Sequence, residues 1–115
     1  MKLVIYQVFT RTFGNKNSNR KPNGTLAENG VGKMNDFDDA TLQQIKSLGV
    51  NTIWYTGIIR HATCTDYSAF GIPRQTPRVV KGKAGSPYAI TDYYDVSPDL
   101  AVDVEHRLEE FKALV

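Results

Sequence analysis

Residues 38–56, DDATLQQIKSLGVNTIWYT, decide the fold class. Asp38 or Asp39 suits a helix N-terminus, where a carboxylate oxygen accepts a hydrogen bond from a free backbone N–H and its charge meets the positive end of the helix dipole. Leu42, Ile45 and Leu48 then recur at helical spacing on one face. Gly49 stands where a helix C-cap is needed. Val50–Thr56 follows at once and is β-branched and aromatic, the composition of a strand. A helix that runs straight into a strand is the second half of a βαβ unit and needs a parallel strand upstream.

Val4-Ile5-Tyr6-Gln7-Val8-Phe9 supplies that strand. Its almost continuous apolar run predicts cover on both faces, the habit of parallel sheets. Between this strand and the helix lies a polar segment, Gly14–Asp36, with six asparagines and Gly24, Gly30 and Gly32 among them. Asn and Gly make local turns and tolerate left-handed backbone, so the segment reads as a loop. A loop of that length in a folded domain is functional or mobile. Residues 57–86 form a second irregular stretch, broken by glycines and by Pro73 and Pro77, and made basic by Arg60, Arg74, Arg78, Lys81 and Lys83. After Tyr88 and an Asp-rich run to Asp99, the spacing of Val104, Leu108, Phe111 and Val115 predicts a second amphipathic helix with Asp103 as its cap.

The 115 residues fit one domain and leave no room for two. Hydrophobic residues make up 41% and charged residues 23%, which is the composition of a folded chain and not of a disordered one. Fourteen Lys and Arg against twelve Asp and Glu give a net charge of +2, without the concentrated basic face that nucleic acid requires. The single cysteine, Cys64, excludes an internal disulfide and a cysteine-rich zinc site. No apolar run is long enough to span a bilayer. The N-terminal apolar stretch is interrupted by Gln7, Thr10 and Arg11 and does not read as a signal peptide.

The two predicted helices end alike. Leu42–Gly49 aligns with Leu108–Val115, and the strand–loop–helix order recurs with it. On this reading the chain is a run of βα units that stops in mid-architecture, because two parallel strands and two helices do not close a sheet. A βα barrel needs eight such units and about 250 residues. Residues 1–115 would then be its N-terminal portion, with long βα loops.

The same segments resemble the α-amylase family of glycoside hydrolases, whose catalytic domain is a (β/α)8 barrel. Residues 5–13, IYQVFTRTF, are similar to the family's first strand, and residues 48–54, LGVNTIW, to its first helix end and second strand. Residues 85–100, GSPYAITDYYDVSPDL, are the most specific piece, matching the family's Tyr-x-x-x-Asp-Tyr followed by Val-x-Pro-x-Leu. The resemblance implies hydrolysis, or transfer, of α-glucosidic bonds in starch-like glucans by a retaining mechanism. It implies that Tyr88 stacks on a sugar ring at the cleavage subsite, an aromatic face meeting the C–H face of a pyranose. It implies that Asp92 supports that loop by hydrogen bonds. By the same resemblance the catalytic carboxylates and the Asp-x-x-x-Asn-His motif belong to later strands. No catalytic residue is therefore expected in this chain, and the chain alone is expected to be inactive. One departure is local: where several family members carry His-Gly before the tyrosine, this chain has Ser86-Pro87.

Other residue patterns carry less. Asp92, Asp95, Asp99 and Asp103 lack the spacing and glycine of an EF-hand loop and read as turn and cap residues. Ca²⁺ enters only as an ion of the complete parent enzyme, with the Asn-rich loop a weak source of oxygen ligands. His61 and Cys64 sit three apart but have no second pair to complete a zinc site. His106 falls opposite the apolar stripe, beside Glu110 and in solvent. The basic residues between Arg60 and Lys83 have no helical or alternating period and read as a solvated loop. The rival reading is a free-standing small α/β module that binds carbohydrate or protein without catalysis, through Tyr6, Trp54, Tyr55, Tyr88, Tyr93 and Tyr94. An open sheet edge would favour self-association on either reading.

Overall fold

A computed structural model describes all residues, 1–115. The chain is α/β, with four strands and four short α-helices. Strand β1 (Ile5–Phe9) is followed by one helical turn, α1 (Thr10–Phe13). The Asn-rich loop holds a second single turn, α2 (Leu26–Asn29), and leads into α3 (Asp39–Lys46) and strand β2 (Thr52–Thr56). Strand β3 (Ile59–His61), a long excursion, strand β4 (Ile90–Val96) and α4 (Arg107–Leu114) complete the chain.

The βαβ expectation holds. β1 and β2 pair in parallel from Ile5↔Thr52 to Phe9↔Thr56. Asp38 is the helix cap, its carboxylate accepting from the Thr41 N–H at 2.8 Å. Gly49 has φ +88°, the left-handed turn by which the chain leaves α3.

Cover on both faces of β1 does not hold. In a strand pair successive side chains alternate in direction, so partners in parallel register share a face. One face carries Tyr6, Val8, Ile53 and Tyr55, which pack with Phe37, Leu42 and Ile45 into one of two core clusters. Phe37 is its hub, stacked on Phe13 at 4.9 Å and edge-on to Tyr55 at 5.0 Å. The opposite face carries Ile5, Gln7, Phe9, Thr52, Trp54 and Thr56. No helix lies over it, and Ile5 and Trp54 remain 52% and 57% exposed. The second cluster joins Met34, Val96, Leu100 and Ala101, with Phe111 and Leu114 against it. Leu114 touches both clusters and couples them.

Three further expectations are corrected. The irregular segment 57–86 contains β3, and the Asp-rich run contains β4, which pairs with β3 antiparallel in an irregular register. The acids Asp92 and Asp95 obscured β4 because charged residues are poor strand signals. Arg60 on β3 neutralises both, with Nη1 3.0 Å from Asp95 and Nη2 3.5 Å from Asp92. Next, Asp103 caps a 3₁₀ turn, Val104–His106, and α4 begins only at Arg107. That turn resets the helical phase: Phe111 and Leu114 pack inward while Leu108 is 43% and Val115 89% exposed. The aligned helix ends therefore bury different positions, since Leu48, the counterpart of Leu114, is exposed.

Finally, Asp95 and Asp99 are not solvated turn residues. Both are buried. Arg107 grips Asp95 with Nε at 2.8 Å and Nη2 at 2.9 Å. Asp99 accepts from the Thr63 hydroxyl at 3.1 Å and from the Tyr67 hydroxyl.

Candidate functional site

The C-terminal ends of β1 and β2 lie side by side, and the loops that leave them define the polar end of the molecule. Ligand sites in parallel α/β architectures gather at this end, where strand termini leave room between loops. Here a cleft of about 410 Å³ opens on the uncovered face of the pair. Gln7 and Phe9 come from β1, Thr56 from β2, and Pro87 and Tyr88 from the loop ahead of β4. Gln7 Nε2 donates to Thr56 Oγ1 at 2.7 Å, which fixes the amide across the two strands. Tyr88 is 79% exposed, so its ring is a free surface of the cleft.

Two glycines place that ring. Gly57 has φ +82°, and a Cβ there would stand 3.0 Å from a Phe9 ring carbon and 3.2 Å from Pro87 Cβ. Gly85 also has φ +82°, and a Cβ there would fall 1.9 Å from the Ala62 carbonyl oxygen. The turn after Gly85 is held by the Ser86 hydroxyl, which accepts from the Tyr88 N–H at 3.2 Å, and by the Ser86 carbonyl, which accepts from the Ala89 N–H at 3.1 Å. Arg11 ties the turn to the end of β1. Its Nη1 donates to the Gly85 carbonyl at 2.8 Å, and its guanidinium lies 4.9 Å from the centre of the Phe9 ring. Burial pulls the Arg11 pKa below its ordinary value, and the charge of Asp99 offsets part of that.

Asp92 stands apart from the cleft. One carboxylate oxygen accepts from the Tyr94 N–H at 2.8 Å and the other faces Arg60. It thus braces the start of β4, the strand that follows the Tyr88 loop. No carboxylate, histidine or cysteine lines the cleft. The arrangement can hold a ring against Tyr88 and offer it an amide and a hydroxyl.

The remaining candidates resolve into structural contacts. Both ring nitrogens of His61 lie 3.3 Å from backbone carbonyls, of Ile59 and Ala84. Cys64 Sγ faces the Gly82 carbonyl at 3.8 Å. No three His, Cys, Asp or Glu side chains converge as a metal cage would require. His106 is exposed as expected, but its partner is Asp103, 2.9 Å away, not Glu110. That contact raises the His106 pKa and lowers that of Asp103. In the Asn-rich loop, the Asn15, Asn17 and Asn29 side-chain oxygens accept from the N–H groups of Asn17, Asn19 and Lys21. Oxygens engaged in this way hold the loop's own turns.

Sequence reasoning missed Gln7, Phe9, Thr56 and Arg11 as parts of the site. The signal was present for the first three, which stand at or near the C-terminal ends of the two parallel strands. Arg11 gave none, since its partner is a backbone carbonyl 74 residues away.

Compared with protein-family profiles, curated proteins and solved structures, the chain finds no match.

Proposed function

We propose that the protein is part of a glycoside hydrolase of the α-amylase type, acting on α-glucosidic bonds of starch-like glucans. The observation that carries this reading is the exposed Tyr88 ring at the C-terminal end of a parallel strand pair whose inner face is uncovered. That face, bearing Ile5, Gln7, Phe9, Trp54 and Thr56, is the one a barrel reading turns inward. The role of this chain is then to shape the cleft. Tyr88 excludes water from one face of a pyranose, while Gln7 and Thr56 supply hydrogen bonds to hydroxyls. A retaining displacement needs two carboxylates about 5–5.5 Å apart across the scissile bond. Those acids belong to other sequence on this reading, and Ca²⁺ would be an ion of the complete enzyme.

Amide chemical shifts of the protein titrated with maltoheptaose test the binding step. Saturable shifts at Phe9, Thr56 and Tyr88, absent with a β-linked oligosaccharide and abolished in Tyr88→Ala, are the expected result. Equal response to both sugars, or none, refutes the reading. Hydrolysis of maltoheptaose by the 115-residue chain, sensitive to mutation, would refute the assignment of the acids elsewhere.

The second reading, a binding module without catalysis, draws on the absence of any carboxylate from the cleft. It predicts the same maltoheptaose shifts with no catalytic parent, where the first reading predicts a complete enzyme whose turnover falls sharply in Tyr88→Ala. On both readings the uncovered face promotes self-association, which sedimentation velocity across a concentration series would register.

A further inference from the structure

The charge of the chain is divided by architecture. The segments that leave β1 and β2, residues 10–36 and 57–86, hold ten of the fourteen Lys and Arg but only three acids, Glu28, Asp36 and Asp66. Nine of the twelve acids lie in the rest of the chain. A cavity of about 490 Å³ opens within the cationic half, between the Asn-rich loop and Ala84. Its volume falls within the roughly 300–1,000 Å³ range of small-molecule sites. Its walls are Asn, Gly and Thr with Leu26, Ala84 and three cations, Arg11, Arg20 and Lys21, and no carboxylate lines it.

The state of each polar group decides what the cavity can hold. The amide oxygens of Asn15, Asn17 and Asn29 are engaged by backbone N–H groups. Their amide nitrogens donate to the carbonyls of Asn29, Glu28 and Lys21. The asparagines therefore build the walls, each held through both its oxygen and its amide nitrogen. Lys21 is neutralised by Glu28. Arg11 and Arg20 take part in no salt bridge. Arg11 spends Nη1 on Gly85 and is partly buried, so its charge is poorly hydrated. The walls are also close-packed: a Cβ on Gly24 would stand 2.5 Å from Asn29 Nδ2, and one on Gly30 2.5 Å from Asn15 Oδ1.

We infer that this cavity is an oxyanion site, taking the phosphate, sulfate or carboxylate group of a small molecule between Arg11 and Arg20. Guanidinium groups present paired donors that match such oxygens, and a partly desolvated cation gains most from an anionic partner. The site shares no lining residue with the Tyr88 cleft and does not depend on the glycosidase reading.

The test is titration of the protein with inorganic phosphate and with glucose 6-phosphate, at ionic strength held constant with chloride, followed by amide shifts of residues 11–30. The expected result is saturable binding that weakens about tenfold in Arg20→Gln, the loss of one charge-assisted contact. Arg20 is exposed and forms no salt bridge, so this variant preserves the fold; Arg11→Lys, which keeps the charge but loses the fork, should weaken binding as well. Tighter glucose 6-phosphate than phosphate would assign the site to a sugar-borne group, and equal affinities to the free anion. No saturable response, or the same response in Arg20→Gln, overturns the inference.

Discussion

Replacing Asp95 with Asn should destabilise the protein by about 3–5 kcal/mol, the cost of removing one partner from a buried ion pair. The structure places the substitution at the upper part of that range. Asp95 retains 7% of its side-chain exposure and faces two guanidiniums at 16% each. Arg107 contributes two hydrogen bonds at 2.8 and 2.9 Å, and Arg60 a third at 3.0 Å. An amide would leave Arg107 without a charge partner and Arg60 with Asp92 alone, at 3.5 Å, beside an Arg60 Nε that is already buried without an acceptor. Against a total stability of about 5–15 kcal/mol, such a loss is readily measured by urea denaturation followed by circular dichroism. The pH dependence follows from opposing causes. Burial alone would push the Asp95 carboxyl up, but the Arg107 hydrogen bonds, the Val96 N–H and the charges of Arg107 and Arg60 outweigh it and hold the pKa below the ordinary value. A depressed carboxylate pKa stabilises the fold above the unfolded value, about 3.9, and that stability is lost as pH falls through the folded value. The wild type should therefore lose stability at acid pH more steeply than Asp95→Asn. Adding Arg107→Met should recover part of the loss by removing one stranded charge. A variant within about 1 kcal/mol of wild type, the ordinary effect of a point substitution, would refute the assignment of this triad as the tie between β3, β4 and α4.

Tyr67→Phe should cost about 1–3 kcal/mol, because it leaves a buried Asp99 oxygen without its donor. Burial and then the Asp99 charge raise the Tyr67 pKa far above the ordinary tyrosine value. The wild type should consequently lose stability as pH climbs beyond about 10, and the phenylalanine variant should lose less over the same range. Gly85→Ala should cost about 2–5 kcal/mol, combining left-handed strain with the collision against Ala62. Its maltoheptaose shifts at Tyr88 should weaken even where chemical denaturation shows the variant still folded, and an unchanged titration would separate Gly85 from the placement of the ring.

The parallel pair was legible because its signals are local. A cap at Asp38, a stripe at Leu42 and Ile45, and a glycine at the helix exit all lie within a dozen residues of one another. What stayed hidden depends on contacts across the chain. β3 is three residues long and has no pattern of its own until β4 pairs with it. Asp95 and Asp99 look like loop acids until Arg60, Arg107, Thr63 and Tyr67 arrive from elsewhere. The stripe through Val104 and Leu108 failed because one 3₁₀ turn shifted the phase, and such a turn has no signature distinct from the first turn of a helix. Tyr88 was marked by resemblance and as one of six candidate binding aromatics, and its neighbours Gln7, Phe9 and Thr56 were not singled out, since their convergence is a property of strand order.

Asp99 receives both long excursions at once. Its carboxylate takes the hydroxyls of Thr63 and Tyr67, while its backbone carbonyl, with that of Ala101, accepts the Lys33 ammonium at 2.8 and 3.1 Å. The segments after β1 and after β2 are thereby moored to the same post. Slackening one loosens the other, so the two rims of the mouth cannot drift or be remodelled independently, and a change in either must be accommodated around a single aspartate.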